Sequence, residues 1–242
     1  MAPLGELQIH LGLASAIVGA ALLWLIYFDF KDSLHKEPRV LLAAAFALGA
    51  VAALLGLGVY AALERLGVPA APGPAPKQIL LYCLLVIGPV EEGCKFAVAR
   101  AIVFRWRAFS EPIDGLVYAA ALAIGFATFE NLLYLVHLPY LDAGEQLARA
   151  ATSPLTHSLF SAIWGFGVAH AAFDATNRWG RWRWQVGAVV VSALLHGFYD
   201  ALLLGWGATI PASATVLVIW ILVQRKALRF VRRTADPTRA SS

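Results

Sequence analysis

Charged residues are scarce in this chain of 242 residues, since Asp, Glu, Lys and Arg together make up 14% and hydrophobic residues 60%. Soluble domains carry about 25% charged and about 45–50% apolar residues. The shortage of charge excludes a soluble domain of any size and indicates one integral membrane domain over residues 1–242. The net charge of +4 does not indicate a nucleic-acid partner, because the basic residues lie in short loops instead of on one folded face.

Cysteine is also scarce, and the only two residues are Cys83 and Cys94. Both fall in one apolar run, where a helix would separate them by about 16 Å, too far for a disulfide. A pair at this spacing is no metal motif either. Cys94 is expected to pack as a small buried hydrophobe, so the sequence gives no support to cysteine chemistry.

Several familiar signatures are absent from the sequence. It has no H-E-x-x-H motif of zinc proteases and no G-x-S-x-G motif around a serine nucleophile. It also lacks the paired repeats with broken helices that are typical of many transporters. The first apolar segment has no basic region before it and no small-residue cleavage site after it, so we expect a retained helix instead of a signal peptide.

Seven apolar segments are each long enough to cross a bilayer as a helix. The sequence therefore predicts an all-α, polytopic membrane protein with about seven transmembrane helices. The segments are approximately Leu11–Phe28, Val40–Leu63, Ile79–Phe104, Gly115–Val136, Leu155–Ala175, Gln185–Leu204 and Ala208–Val223. The proline-rich stretch 68–76 predicts an extended connection, and residues 230–242 are predicted to be a disordered basic tail.

Basic residues are distributed unevenly between alternate connections. One side has only Arg65, Lys77 and Arg149, and most of the 19 Lys and Arg residues lie on the other side. The positive-inside rule then places the N-terminus outside and the C-terminus in the cytoplasm of a multi-pass protein of the cell membrane. The lipid bilayer is thus one partner, and the basic, tryptophan-rich segment 178–184 suits an anionic lipid surface.

The third segment carries charge where hydrocarbon is expected, at Glu91, Glu92 and Lys95. Ionisable groups at this depth are costly and mark a functional site by default. Glu91 and Lys95 are spaced i, i+4, so they share a helix face and can pair. Pro89 removes a backbone donor and is expected to loosen the helix one turn before the acids. For the Glu91–Lys95 pair alone, a structural ion pair between helices is an equal alternative.

Further polar side chains lie inside three later segments. They are Glu130 and Asn131, with Phe126 and Tyr134 on the same helix, then His157, and then His196 with Asp200. At a rise of 1.5 Å per residue, Glu91, Glu130 and His196 each lie about 20–24 Å from their cytoplasmic connections. Independent structural residues have no reason to share a depth, so we predict one common site.

Two chemistries fit this set of residues. In one, a carboxylate acts as general base on a water while histidines stabilise the oxyanion. In the other, zinc is bound by members of the same set, namely Glu91, Glu130, His157 and His196, and another glutamate acts as base. The residues alone leave both open.

The same motifs resemble those of the PrsW family, a branch of the CAAX-protease and bacteriocin-processing superfamily of intramembrane proteases. The matching stretches are Glu91-Glu92-x-x-Lys95, Phe126-x-x-x-Glu130-Asn131-x-x-Tyr134, His157 and His196-x-x-x-Asp200, together with Asp114-Gly115-x-x-Tyr118 and Arg149. The resemblance extends from about Gly88 to Asp200. Glu130 departs from the wider superfamily, because prenyl-protein endopeptidases have histidine at this position, and their water-activation scheme does not transfer directly.

The resemblance implies a membrane endopeptidase that cleaves a single-pass anti-sigma factor near its extracytoplasmic side. It leaves the cofactor open, because the PrsW branch is described as metalloproteases while the prenyl endopeptidases resemble metal-independent enzymes. A gamma-secretase scaffold subunit retains related motifs, so a non-catalytic membrane scaffold is the alternative.

The site residues that we predict have the following roles. Glu91 is the water-activating base, tuned and oriented by Glu92 and Lys95. Glu130 shares the water or a metal, and His157 and His196 stabilise the oxyanion or bind the metal. Asp200 orients His196. Phe126, Asn131 and Tyr134 are supporting residues.

Overall fold

A computed structural model describes residues 4–31, 36–137 and 142–235, and all regular structure within these ranges is helical. The α-helices are α1 (Leu4–Lys31), α2 (Arg39–Arg65), α3 (Pro76–Tyr82), α4 (Gly88–Ala101), α5 (Pro112–His137), α6 (Ala143–Phe173), α7 (Arg178–Trp206) and α8 (Thr209–Ala235). A π-helical turn, Cys83–Ile87, joins α3 to α4 into one continuous rod. The described part of the chain therefore forms seven helical rods, and the all-α prediction is confirmed.

Four of these rods are long and apolar enough to cross a membrane: Gln8–Phe30, Arg39–Arg65, Pro112–Val136 and Arg178–Trp206. The other three contain the residues that lower their hydropathy. The α3–α4 rod holds the acidic pair and Lys95, α6 begins with a polar stretch, and α8 becomes basic in its second half. That all seven rods cross the membrane therefore stays a prediction.

Helix α5 lies at the centre of the bundle. It is buried without interruption from Ile113 to Thr128, and it packs against α1, α2 and α6. A helix that is apolar on every side belongs in such a position. Glycines let α2 and α5 meet through their backbones, because a Cβ on Gly125 would lie 1.9 Å from the Phe46 carbonyl oxygen, and one on Gly49 2.2 Å from that of Leu122.

Helix α6 begins earlier than predicted, at Ala143 instead of Leu155. Its start is fixed by a capping box in which Asp142 Oδ1 accepts a hydrogen bond from the Glu145 backbone N–H at 2.8 Å, while the Glu145 side chain accepts from that of Asp142. Pro154, which suggests a helix start, lies inside the helix. As a consequence Arg149, which the sequence places in an outer connection, lies on α6.

Two other predicted boundaries also differ. The third segment was expected to reach Phe104, but α4 ends at Ala101 and a short 3₁₀ turn, Val103–Arg105, follows it. Helix α8 extends to Ala235 and so covers the beginning of the predicted tail 230–242, of which residues 236–242 lie outside the described ranges.

The Asp114-Gly115-x-x-Tyr118 motif fixes the N-terminal end of α5. Asp114 Oδ2 accepts hydrogen bonds from two preceding backbone N–H groups, at 2.8 and 2.7 Å. A Cβ on Gly115 would lie 2.5 Å from the Gly165 carbonyl oxygen, so α5 and α6 touch here. Tyr118 donates a hydrogen bond to Glu37 in the connection before α2. This motif organises packing and lies outside the candidate site.

Candidate active site

The acidic pair is held against α7 by backbone contact on both sides of the π-helical turn. A Cβ on Gly88 would lie 2.1 Å from the Ala193 carbonyl oxygen, and one on Gly197 would lie 2.2 Å from that of Cys83. The loosened helix expected before Pro89 is thus present as this turn. Because His196 precedes Gly197, the same contact brings that histidine beside the two glutamates.

Glu92 is completely buried, and five side chains donate to it or contact it. Its Oε1 lies 2.8 Å from Lys95 Nζ and 2.9 Å from His196 Nδ1. Its Oε2 accepts from Trp164 Nε1 at 2.8 Å and from Ser161 at 2.9 Å. Ser192 Oγ contacts Oε2 at 3.2 Å, but its single proton has a nearer acceptor in the Phe160 carbonyl at 2.7 Å. The donors come from α4, α6 and α7, so Glu92 ties these three helices together and has no free lone pair directed at a ligand.

Lys95 is also completely buried and lies at the centre of the charged cluster. Its Nζ is 2.8 Å from Glu92, 3.5 Å from Glu91 Oε2 and 2.7 Å from His157 Nδ1, and it lies 4.1 Å from the centre of the Phe126 ring. An ammonium group can only donate, so His157 Nδ1 accepts and the ring proton is placed on Nε2. Lys95 therefore selects the tautomer of His157.

Glu91 differs from its neighbour because one of its oxygens accepts no hydrogen bond from the described residues, although Lys95 Nζ lies 3.5 Å from it as an ion-pair partner. Oε2 is buried and has no hydrogen-bond partner among the described residues. It lies 3.8 Å from His157 Nδ1 and 3.8 Å from His196 Nε2, while Oε1 is 3.5 Å from the Tyr60 hydroxyl. A buried acceptor without a partner is costly, so this oxygen is available for a water or a metal.

Glu130 completes the cluster from α5. Its Oε2 lies 3.2 Å from His157 Nε2 and 3.6 Å from the Arg149 guanidinium, which in turn stacks 3.8 Å from the centre of the Tyr134 ring. Like Glu91 Oε2, the Oε2 of Glu130 is buried without a hydrogen-bond partner among the described residues, so the Nε2 proton of His157 lies near a carboxylate without being hydrogen-bonded to it.

His196 is held differently from the prediction. We expected Asp200 to orient it, but the Asp200 carboxylate is 3.5 Å from Nε2, whereas Glu92 lies 2.9 Å from Nδ1. Glu92 is therefore the nearer orienting group, and the local i, i+4 relation is the weaker contact. The Phe160 ring stacks on the imidazole at 4.9 Å and fixes its plane.

A cavity of about 640 Å³ connects these groups. Helices α2 to α7 and the proline-rich connection all contribute to its wall, which includes the predicted residues Glu91, Phe126, Glu130, Tyr134, His157, His196 and Asp200. On the side towards the start of α5, Trp164 closes the cluster, with Phe96 and Phe104 packed edge-on against its ring. Tyr82 donates to the carbonyl of Ala70 and so fixes the connection over the cavity.

The remaining predicted residues lie outside this wall. Glu92 and Lys95 are behind it, within the packed helices. Asn131 is buried, and neither atom of its amide has a hydrogen-bond partner in the described ranges. Asn131 does not line the cavity, although Phe126, Glu130 and Tyr134 of the same motif do.

Sequence reasoning missed several contributors to the site. Ser161 and Ser192 are polar residues inside apolar segments, and this pattern could have indicated that they contact the buried charges. Trp164 has no such pattern, because a tryptophan in an apolar segment is typical of a core residue. Tyr60 lies on an otherwise apolar helix and gave no signal. As a site residue, Arg149 was identified only through the family resemblance. The helix that carries it was expected to start after it.

A protein-family model described as "PrsW family intramembrane metalloprotease" matches residues 37–224. The chain belongs to the PrsW family. The curated relatives include Protease PrsW of Geobacillus kaustophilus, which is 33% identical over 218 residues, or 88% of this chain and 90% of the relative. Protease PrsW of Bacillus subtilis is 31% identical over 189 residues, or 78% of this chain and 81% of the relative. No solved structure matches the chain.

Membership of the PrsW family makes this chain an intramembrane protease. The family description includes a metal, and the cavity offers donors for one. One donor atom each of Glu91, His157 and His196 lie within 4.8 Å of one another. A carboxylate with two histidines is the donor set of many catalytic zinc sites. Glu91 Oε2, which accepts no hydrogen bond within the described ranges, and His196 Nε2 fit a metal as they stand, and His157 Nε2 fits one after loss of its proton.

Proposed function

We propose that this chain is a multi-pass protease of the cell membrane that hydrolyses a peptide bond of a single-pass membrane protein, with Glu91 as the base that activates water. The observation that carries the proposal is the Oε2 of Glu91, a residue of the cavity wall, which accepts no hydrogen bond from the described part of the chain and lies 3.8 Å from a nitrogen of each of two histidines. A general base needs a free lone pair within reach of a water, and Glu91 has one.

The other residues have roles that follow from their contacts. Glu91 takes a proton from the water as its oxygen attacks the carbonyl carbon, and it then returns the proton to the leaving amine. His157 and His196 line the cavity, and we propose that each stabilises the oxyanion through an Nε2 proton. Because His196 Nδ1 already donates to Glu92, His196 acts in this way with both ring nitrogens protonated. Lys95 and Glu92, which are both fully buried, hold the two imidazoles and stay in place throughout the reaction.

If zinc is the cofactor, the residues that would hold it are Glu91, His157 and His196, with Glu130 adjacent. Lys95 engages Nδ1 of His157, so Nε2 is the nitrogen that would bind a metal on that ring, and it would have to lose its proton to do so. The chemistry that zinc supplies is acidification of a bound water and polarisation of the carbonyl. The donor set supports this form as well as the metal-free form, and metal analysis distinguishes them.

The cleavage position that we propose is the outer end of the substrate's transmembrane segment or just beyond it. Glu130 precedes His137, the end of α5, by about 10 Å of helix rise, whereas Trp164, Phe96 and Phe104 close the opposite side. Water therefore has its shorter path from the outer end. A peptide bond inside lipid is sealed in a helix and must unwind near a wet cavity before attack.

The substrate class that we propose is a single-pass anti-sigma factor, in keeping with the family resemblance and with an N-out, C-in orientation of this chain. The orientation follows from the uneven distribution of basic residues. Placement in the CAAX-protease and bacteriocin-processing superfamily belongs to the same proposal.

Proteolysis by the purified protein tests the proposal. The protein in detergent is incubated with a panel of single-pass substrates, the fragments are identified by mass spectrometry, and bound metal is measured. We expect Glu91→Gln and Glu130→Gln to abolish cleavage at unchanged abundance and His170→Ala to stay active, because His170 pairs with Asp174 outside the cavity. Normal turnover by Glu91→Gln would refute the base assignment, and a cut in the cytoplasmic third of the segment would refute the outward-opening site.

A further inference from the structure

A second groove lies between α6, α7 and α8, and it shares no lining residue with the catalytic cavity. Its volume is about 660 Å³. On α7 it is lined by Trp184, Gly187, Ala188 and Val191, which are spaced i, i+3, i+4 and i+7 and so form one straight stripe. The groove therefore runs along the helices, as a lipid chain in a bilayer does.

Two cations lie at one end of this groove, where α6 ends and α7 begins. Arg183 comes from the second turn of α7, and Lys226 comes from α8 and lies 4.8 Å from the centre of the Phe166 ring. In the described part of the chain no acidic side chain lines the groove. From Arg183 the apolar stripe continues to Val191, over about 12 Å of helix rise. The groove thus has a positive end and an apolar trough.

Gly187 explains why the trough is open. A Cβ at this position would meet no atom within 4 Å, so no neighbouring element requires glycine here. Glycine weakens a helix interior, and a larger residue would strengthen α7. By contrast Gly167, on the opposite wall, is needed for close packing, since its Cβ would lie 2.4 Å from that of Ala188. What Gly187 provides is space for something other than this chain.

We propose that this groove binds one anionic phospholipid, with its phosphate between Arg183 and Lys226 and an acyl chain along the α7 stripe. The charge at the groove's end selects an anionic headgroup, and the apolar trough takes the chain. The exposed tryptophans around it, Trp179, Trp182 and Trp184, are typical of residues at the membrane interface.

The test is lipid binding by the purified full chain after removal of native lipid, measured by native mass spectrometry. The probes are dioleoyl phosphatidylglycerol, dioleoyl phosphatidylcholine and glycerol 3-phosphate. We expect one phosphatidylglycerol molecule to bind. The double variant Arg183→Ala/Lys226→Ala should weaken its binding about thirtyfold, because each basic side chain contributes about fivefold at an anionic surface.

Matched control variants show whether the effects on lipid binding are specific to this groove. Arg181→Ala/Arg225→Ala removes the same charge from exposed neighbours that do not line the groove, and it should bind as the unmodified chain does. Gly187→Leu should exclude the lipid, whereas Gly58→Leu, at another glycine that faces open space, should not. Thermal unfolding shows whether each variant is folded. If Gly187→Leu does not fold, the comparison of the two double charge variants tests the proposal on its own.

Three results would overturn the proposal. Binding of phosphatidylcholine as tight as that of phosphatidylglycerol would show that the groove does not select for the headgroup charge. Equal binding of glycerol 3-phosphate would indicate a simple anion site. Undiminished phosphatidylglycerol binding by the Arg183/Lys226 variant, together with impaired binding of a protein substrate, would indicate a protein-docking surface instead.

Discussion

The two adjacent glutamates should respond in opposite ways to the same substitution. Glu92→Gln keeps the shape of the side chain but replaces one acceptor oxygen by an NH₂ group. If this group stands at Oε1 it faces Lys95 Nζ at 2.8 Å, and if it stands at Oε2 it faces Trp164 Nε1 at 2.8 Å. Lys95 and Trp164 can only donate, so either orientation leaves a buried donor against a donor.

The expected cost follows from this geometry. Removing one partner of a buried ion pair costs about 3–5 kcal/mol, which corresponds to a fall of about 10 °C in the unfolding temperature at this chain length. Glu91→Gln removes the same charge one residue away, but the Oε2 of Glu91 has no hydrogen-bond partner among the described residues, and its ion pair with Lys95 is longer, at 3.5 Å, than that of Glu92. We therefore expect its unfolding temperature to fall much less than that of Glu92→Gln.

The assay is thermal unfolding of the two variants in the same detergent, with membrane abundance measured alongside. Glu92→Gln should be depleted and less stable, whereas Glu91→Gln should be stable and inactive. Equal stability of the two variants would show that Glu92 does not hold α4, α6 and α7 together. A strongly destabilised Glu91→Gln would show that its carboxylate is structural, and it would remove the basis for assigning it as the base.

Two further predictions concern the fold. Reporter fusions at Gly73 and at the C-terminus should report opposite sides of the membrane, because the basic residues are concentrated on one side; the same side for both would contradict seven crossings. Gly125→Ala should strongly reduce membrane abundance, since its Cβ would lie 1.9 Å from the Phe46 carbonyl oxygen, whereas Gly58→Ala, which faces open space, should not; equal abundance of the two would refute the tight contact of α2 with α5.

The sequence was sufficient to predict the helical rods and the meeting of the polar residues. Both predictions rest on fixed geometry, namely the length of an apolar run and the rise of 1.5 Å per residue. Glu91, Glu130 and His196 come from three helices far apart in sequence, and the depth prediction places these three at one level. In the structure Glu91 Oε2 lies 3.8 Å from His196 Nε2, and His157, which the depth prediction did not include, lies 3.8 Å from Glu91 and 3.2 Å from Glu130.

The division of labour between Glu91 and Glu92 was not predictable in the same way. The two side chains point about 100° apart around the helix. Which of them reaches hydrogen-bond donors depends on where α6 and α7 pack, and the sequence of α4 does not contain that information. The orienting partners of His196 were predicted incompletely for a related reason. Asp200 is visible at i, i+4 and lies 3.5 Å from the ring, whereas the nearer partner Glu92 is 104 residues away in sequence. The predicted start of α6 was wrong because Pro154 suggested a helix start, whereas the helix begins after the capping box at Asp142.

The π-helical turn between α3 and α4 separates two contacts with α7. Before the turn the contact is loose, since even a Cβ on Gly205 would lie 3.5 Å from the Ile79 side chain, whereas after it a Cβ on Gly88 would lie 2.1 Å from the Ala193 carbonyl oxygen. Single π turns inside α-helices are frequent at functional sites. The half of the rod that bears Glu91 is thus fixed beside His196 by backbone contact, and the half that bears Tyr82 is not fixed in this way. We therefore expect a displacement of Tyr82 and the proline-rich connection to leave Glu91 in place beside His196.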